Sequence, residues 1–345
     1  MRTFIAAVAC VAVSAQALTN DMTDFTYWAA TMGRNYSSVE KFNERYAIWT
    51  ENKSIIDSQN SDSTKQFTLG YNKLMDWSAE EYQNYLGPKT PFDAFHEAGG
   101  IKNETNEKND RPTYINWVEQ GFNNPIQDDM TEADYQSAKP NLNNQYYSDI
   151  ATIEGRWFAK TGKLVKLSEQ QCKDCTIPDP KAPYSLCWIQ MGLEAYGFHG
   201  GAIAAADYPV TSPLVRGNCQ KRGLPVAVPL QFEGIGYNFN IEATMDELAN
   251  GPISTMIDAS SDAFRFYKGG ILGWDGCGGV PSTWNHSMTI VGYGTDAETT
   301  TDYWLIRNSW GADWGEEGYV RIERSETQDW SGPCGVIYLT NWASV

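Results

Sequence analysis

Cysteine and histidine are the side chains here whose spacing offers chemistry. Seven cysteines occur: Cys10, Cys172, Cys175, Cys187, Cys219, Cys277 and Cys334. A thiol can be a nucleophile, a metal ligand or half of a disulfide, and compartment and clustering decide which. Cys172-x-x-Cys175 with Cys187 offers three metal ligands, but no histidine lies near them in sequence, so no metal site is expected. Arg2, the apolar run Phe4 to Val13 and the small-residue exit Ala15-Gln16-Ala17 read as a signal peptide spanning 1–17. Removing it takes Cys10 away and leaves six cysteines bound for an oxidising compartment, enough for three disulfides. Four Asn-x-Ser/Thr sequons, at Asn35, Asn52, Asn103 and Asn285, fit that route. The three histidines are His96, His199 and His286. Nothing around the first two points to a function.

The elements that must position these residues follow from periodicity. Phe42, Tyr46, Trp49 and Ile56 recur at helical spacing and predict a helix over Val39 to Asn60. A second segment runs from Leu69 to Leu86, and Ser78 with Glu81 forms a capping box that opens a short helix inside it. A polar stretch from about Ala98 to Arg111 reads as an exposed linker. Asn144 to Lys160 is the next helix, with Ile150, Ile153, Trp157 and Phe158 on one side and Gly162 past its end. Ile253 to Ile257, Met288 to Tyr293, Tyr303 to Arg307 and Tyr319 to Ile322 then read as strands. The part after Pro112 is therefore helical first and strand-rich second, an α+β plan with two subdomains. With 41% hydrophobic residues in a chain of 345, a large buried core is available. A net charge of −17 argues against nucleic acid or an anionic membrane surface as partner. No apolar stretch long enough to span a membrane is expected.

Three signatures in order carry a family resemblance. Arg45-x3-Trp49-x2-Asn52-x3-Ile56-x3-Asn60 resembles the ERFNIN pattern of cathepsin L-like propeptides, with Trp49 for Phe and Glu40 one residue off its place. Gly70-Tyr71-Asn72-Lys73-Leu74-Met75-Asp76 is similar to the Gly-x-Asn-x-Phe-x-Asp motif that follows it. Asn285-His286-Ser287-Met288, Val291-Gly292-Tyr293-Gly294, Tyr303 through Gly311 and Trp314-Gly315-Glu316-x-Gly318-Tyr319 resemble the catalytic His and Asn region of papain-type cysteine proteases. Pro112-x4-Trp117 resembles the mature start, and Leu167-Ser168-Glu169-Gln170 a further family segment. The resemblance implies a papain-like fold, with a helical left subdomain, a β-barrel-like right subdomain and a helical inhibitory propeptide. It implies a propeptide domain over 18–98, a linker over 99–111 and a peptidase domain over 112–345. His286 would be the base, Asn308 its orienter and Trp310 the shield, while a helix N-terminus favours the thiolate of the nucleophilic Cys.

That thiol is absent. No cysteine lies between Cys10 and Cys172, whereas the family's nucleophile precedes the Leu167-Ser168-Glu169-Gln170 segment. Counting forward from Trp117 at the family's spacing reaches Tyr135. Counting back from Ser148 and Glu154-Gly155 reaches Asn144, and the nine-residue difference places an insertion between about Met130 and Pro140. Asn144 stands 142 residues before His286, within the usual ~130–150. An amide cannot ionise to a nucleophile, but Asn is a favoured helix cap. Asp129 occupies the position of the oxyanion Gln, where a carboxylate repels developing negative charge; Gln127 is the alternative donor if the loop shifts. The cleft position of the family's Cys-Asn-Gly-Gly loop reads Cys187-Trp188-Ile189-Gln190, and Trp188, Ile189, Gln190, Met191, Met256 and Trp284 are the expected cleft residues. By resemblance Cys175 pairs with Cys219 and Cys277 with Cys334. Cys187 has lost its family partner at Asn141, so Cys172–Cys187 is the expected replacement.

The reading is a secreted or lysosome-like zymogen homologue without peptidase activity, monomeric, needing no cofactor, with its own propeptide in the cleft and a peptide or protein as candidate ligand. Non-catalytic relatives with Ser or Gly at the nucleophile position make the class plausible. A hydrolase using Ser148 and a storage or matrix protein are the alternatives.

Overall fold

The computed structural model describes residues 20–86, 90–91, 111–129, 144–175, 201–211, 217–220, 223–227, 231–236, 241–277, 283–326, 331–338 and 340–345. The expected signal peptide, most of the linker, His96, His199, Trp188 to Met191 and the Met130–Pro140 insertion lie outside them.

In chain order the N-terminal part comprises α1 (Asn20–Thr31), α2 (Val39–Asn60), β1 (Phe67–Leu69), α3 (Ala79–Leu86) and β2 (Thr90–Pro91). The rest comprises β3 (Ile115–Asn116), α4 (Asn144–Thr161), α5 (Glu169–Cys175), β4 (Ala202–Ile203), β5 (Pro225–Ala227), β6 (Gln231–Gly236), α6 (Ile241–Leu248) and β7 (Ile253–Ile257). Then follow α7 (Asp262–Arg265), β8 (Tyr267–Leu272), β9 (Thr283–Trp284), β10 (His286–Thr295), β11 (Asp302–Arg307), β12 (Tyr319–Glu323), a 3-10 turn at Pro333–Gly335 and β13 (Thr340–Ser344). The helix over Val39 to Asn60 and the four strands forms as the periodicity predicts. α1 and α5 were not legible.

α2 shows why its polar residues sit at helical spacing. Ser38 caps it by accepting from Lys41 N at 3.1 Å. Arg45, Trp49, Asn52 and Ile56 form the buried stripe. Arg45 forks onto both Glu81 carboxylate oxygens at 2.6 Å each and also donates to Asp76 O at 2.6 Å. Asn52 donates to Met75 O and Trp77 O at 2.8 and 2.9 Å. Asn60 pairs with both backbone groups of Leu69 at 2.9 Å. Arg45 and Asn52 thereby satisfy carbonyls of the non-helical 70–77 turn, which has no ladder of its own, while Asn60 ties down the end of β1. Ser78 N to Glu81 Oε2 at 2.8 Å and Glu81 N to Ser78 Oγ at 3.1 Å complete the capping box in both directions.

The N-terminal part docks onto the sheet by backbone pairing. β1 lies antiparallel to β8, with Phe67 opposite Gly270. Gly270 has φ +90°, and a Cβ there would sit 2.2 Å from Gln66 O, so the approach requires glycine. The main sheet runs β1-β8-β12-β11-β10-β7-β13-β6, with β3 also on β10. All its pairs are antiparallel except β12 with β8. One core joins Phe25, Trp28 and Trp49 of the N-terminal part to Trp310 and Trp314. A second, under α4, holds Tyr146, Ile150, Ile153, Leu167 and Cys172. The architecture is mixed α+β, as expected. Among the described residues no helix is long and apolar enough to cross a membrane, and no group of three His, Cys, Asp or Glu could hold a metal.

Cys175–Cys219 and Cys277–Cys334 are bridged, with Cα separations of 4.6 and 4.8 Å. Cys172 is also in a disulfide, and its expected partner Cys187 lies outside the described residues. Two sequons are corrected: Asn52 and Asn285 are buried, and both spend their amide donors on protein acceptors. A glycan on either Nδ2 is incompatible with this packing. The sequence pattern carries no burial signal that would have excluded them.

Candidate active site

His286 is the first residue of β10, opposite Ile257 of β7, and is fully enclosed. Asn308 follows β11, its backbone N–H tied to Gly318 O at 2.9 Å. The two meet through His286 Nε2 and Asn308 Oδ1 at 2.8 Å. Asn308 Oδ1 also accepts from Ser309 N at 2.8 Å, which fixes the amide's orientation. Nε2 is therefore the protonated nitrogen, and Nδ1 carries the lone pair. The Trp310 ring lies 4.7 Å from the imidazole at 36°, and Phe264 packs edge-on at 6.2 Å. Burial pushes the His286 pKa down to about 4, with the Asn308 bond opposing it, so the ring is a neutral base at pH 7. The structure brings together the three residues expected at this centre.

α4 begins at Asn144. Its first side chain is outside the described residues, and with it the expected cap. Ser148, one turn on, is bonded to the sheet and not to the base. Its Oγ donates to Met288 O at 2.5 Å and shares contacts with Ser254 Oγ at 2.9 Å and Thr289 Oγ1 at 3.4 Å, and none of its bonds goes to His286. The hydroxyl pins α4 to β7 and β10.

Asp129 is buried, next in sequence to Asp128, which forms a β-bridge with Trp310. Its backbone N–H donates to Ser309 O at 2.9 Å. Its two carboxylate oxygens accept from Tyr85 of α3 at 2.5 Å and from Ser309 Oγ at 2.9 Å. Burial raises its pKa to about 7 against those hydroxyl bonds and the nearby Lys73. Gln127 does not stand in as an oxyanion donor: its amide nitrogen goes to Glu169 at 2.9 Å and its oxygen accepts from Arg307 at 3.1 Å.

Of the expected cleft residues that are described, Met256 is buried on β7 opposite Ser287. Trp284 is buried against Tyr338, with ring centroids 4.3 Å apart. β2 pairs antiparallel with β9, placing Thr90 opposite Trp284, two residues from the base. α3 covers the shield: Tyr82 and Tyr85 both pack on Trp310 with centroids at 6.1 Å. Tyr82 donates to Ala259 O at 2.6 Å and Gln83 to Ser260 O at 3.0 Å. The N-terminal part thus lies over the centre. Phe264, Ser309 and Tyr85 were missed in the sequence. Local signals lay beside each: the Ser261 cap of α7, which accepts from Phe264 N at 3.1 Å, the Ser78–Glu81 capping box ahead of Tyr85, and the 303–311 motif around Ser309.

An imidazole–amide pair at the ends of neighbouring strands, shielded by Trp310 and covered by an N-terminal helical part, is the layout of a papain-type proform. The profile of papain family cysteine proteases matches residues 146–338, and that of the cathepsin propeptide inhibitor domain matches 25–82. Fruit bromelain of Ananas comosus is 30% identical over 322 residues, covering 91% of this chain and 84% of that protein. Procathepsin L of Felis catus is 30% identical over 336 residues, covering 93% and 92%. The structure of recombinant stem bromelain precursor superposes with a TM-score of 0.76 at 27% identity, covering 94% of this chain and 99% of that one. The chain belongs to the papain family of cysteine proteases, in its cathepsin L-like zymogen form.

Proposed function

We propose that this protein is a papain-family zymogen homologue without peptidase activity that serves as a binding or structural protein. The observation that carries the reading is the start of α4 at Asn144, in a chain with no cysteine between Cys10 and Cys172. Catalysis in this family needs an ionisable thiol at that helix end, and an amide supplies no electron pair of comparable nucleophilicity. Asp129 adds to the case, because a carboxylate opposes the oxyanion of acyl transfer. Ser148 is a poor substitute, since its hydroxyl is committed to Met288 O rather than to a base. The proposed organisation is a signal peptide over 1–17, a propeptide over 18–98, a linker over 99–111 and a mature part over 112–345. Delivery is proposed through the secretory pathway to the extracellular space or a lysosome-like vacuole, with a third disulfide between Cys172 and Cys187.

The test is peptide cleavage by the full chain, before and after acid treatment, on a mixed peptide library. No turnover is expected. Cleavage by the unmodified protein that is abolished by His286→Ala would overturn the reading.

A further inference from the structure

The residue at the oxyanion position has an occupant, and that occupant belongs to the propeptide. Asp129 is an acceptor-only group when ionised. Both its oxygens are taken by hydroxyl donors, Tyr85 from α3 at 2.5 Å and Ser309 at 2.9 Å, and both tyrosine and aspartate are 1% exposed. The same carboxylate that repels an oxyanion matches a phenol. The surroundings of the phenol are built to the same end. Tyr85 stacks edge-on against Trp77 at 5.4 Å and lies on Trp310 at 6.1 Å. Lys73 of the propeptide pairs with Asp128, the neighbour of Asp129. Tyr82 and Gln83 hold backbone carbonyls of 259–260 on the other side of Trp310.

We infer that Asp129 is the anchor of a permanent interface, and that its partner is the tyrosine-bearing helix α3 of this chain's own propeptide, retained on the mature part after the linker is cut. Withdrawal of α3 exchanges the Tyr85 phenol on this carboxylate for water, so the docked state gains the net worth of a hydrogen bond to an ionised group. Replacing Gln by Asp at this position converts a group that serves a reaction intermediate into one that serves a bound helix. The inference concerns occupancy, not turnover, so it stands or falls separately from the peptidase assay.

The experiment introduces a site for a sequence-specific protease into the 99–111 linker of the full chain, cuts it, and measures propeptide dissociation by size exclusion and by dilution-induced tryptophan fluorescence. The nicked native protein is expected to remain a complex. At about pH 8, where the Asp129 carboxyl is mostly ionised, Tyr85→Phe, which keeps the ring and removes the donor, is expected to raise the dissociation constant ~10–100-fold, as for a hydrogen bond to a charged group. Tyr82→Phe, whose partner is a neutral carbonyl, should raise it less. Asp129→Asn keeps an acceptor and the shape, so it tests the charge. In that background the Tyr85→Phe penalty should shrink, since the two residues are energetically coupled. Release of the propeptide from the nicked native protein, a Tyr85→Phe change under about twofold, or an undiminished penalty in the Asp129→Asn background would each overturn the inference.

Discussion

Asn144→Cys should create a reactive thiol, and the structure sets how reactive. His286 in its present surroundings has a pKa of about 4, so at neutral pH it is unprotonated in nearly every molecule. A thiolate at about 4 Å, at an effective dielectric near 20, attracts an imidazolium by about 4 kcal/mol. At about 1.36 kcal/mol per pKa unit this is roughly three units. Forming the ion pair from neutral thiol and neutral imidazole must first overcome the difference between an ordinary thiol pKa of about 8.5 and the value of about 4, roughly 4.5 units. The N-terminal end of α4 contributes a further ~0.3–1 kcal/mol toward the thiolate. The balance leaves about one unit against the pair, or roughly 10% thiolate across the neutral range. An ordinary thiol at pH 6 is only about 0.3% ionised. With the linker cut and the propeptide released in a Tyr85→Phe background, iodoacetamide should therefore alkylate the Asn144→Cys protein at pH 6 roughly 30-fold faster than an exposed reference thiol. His286→Ala in the same background should remove the advantage. A rate within about twofold of the reference, unaffected by His286→Ala, would refute the proposed assignment of position 144 as the one opposite the base.

Three further outcomes follow. With the propeptide released in the same way, Asn144→Cys alone should cleave peptide poorly, and adding Asp129→Gln should raise its kcat by about 10²–10³-fold, the usual effect of one oxyanion donor. Ser148→Ala should lower stability by ~1–3 kcal/mol through lost buried hydrogen bonds, read by chemical denaturation, without changing the alkylation rate of Asn144→Cys. His286 and Asp129 should give opposite pH slopes. The Asp129 carboxyl, raised to about 7, binds its proton more tightly folded than unfolded, so its contribution is full below about pH 4 and fades as pH rises through about 7. His286, lowered to about 4, contributes fully above about pH 6.5 and loses this as pH falls toward about 4. Each reaches on the order of 3–4 kcal/mol. Relative to the native chain, Asp129→Asn should lose stability more steeply on acidification and His286→Gln less steeply, measured by denaturant titration at several pH values.

The local features of this protein are in its sequence. The spacing of Arg45, Trp49, Asn52 and Ile56 defines one helix face, Ser78 and Glu81 define a cap, and the runs at 253–257 and 303–307 define strands, because each depends on neighbours a few residues apart. The absent thiol is likewise a fact of the sequence, and so is the identity of His286 and Asn308 as candidates once their motif is met. What the sequence left open was who touches whom across long separations. Tyr85 and Asp129 are 44 residues apart, and neither residue's neighbours announce the other. Asn52 and Asn285 carry the same three-residue pattern as an exposed acceptor, yet the fold buries them against carbonyl and hydroxyl oxygens. Ser148 reads as a hydroxyl beside a nucleophile position until the sheet places the Met288 carbonyl in front of it. In each case the deciding quantity is burial with a specific partner, which arises only when the propeptide, α4 and the sheet close around Trp310.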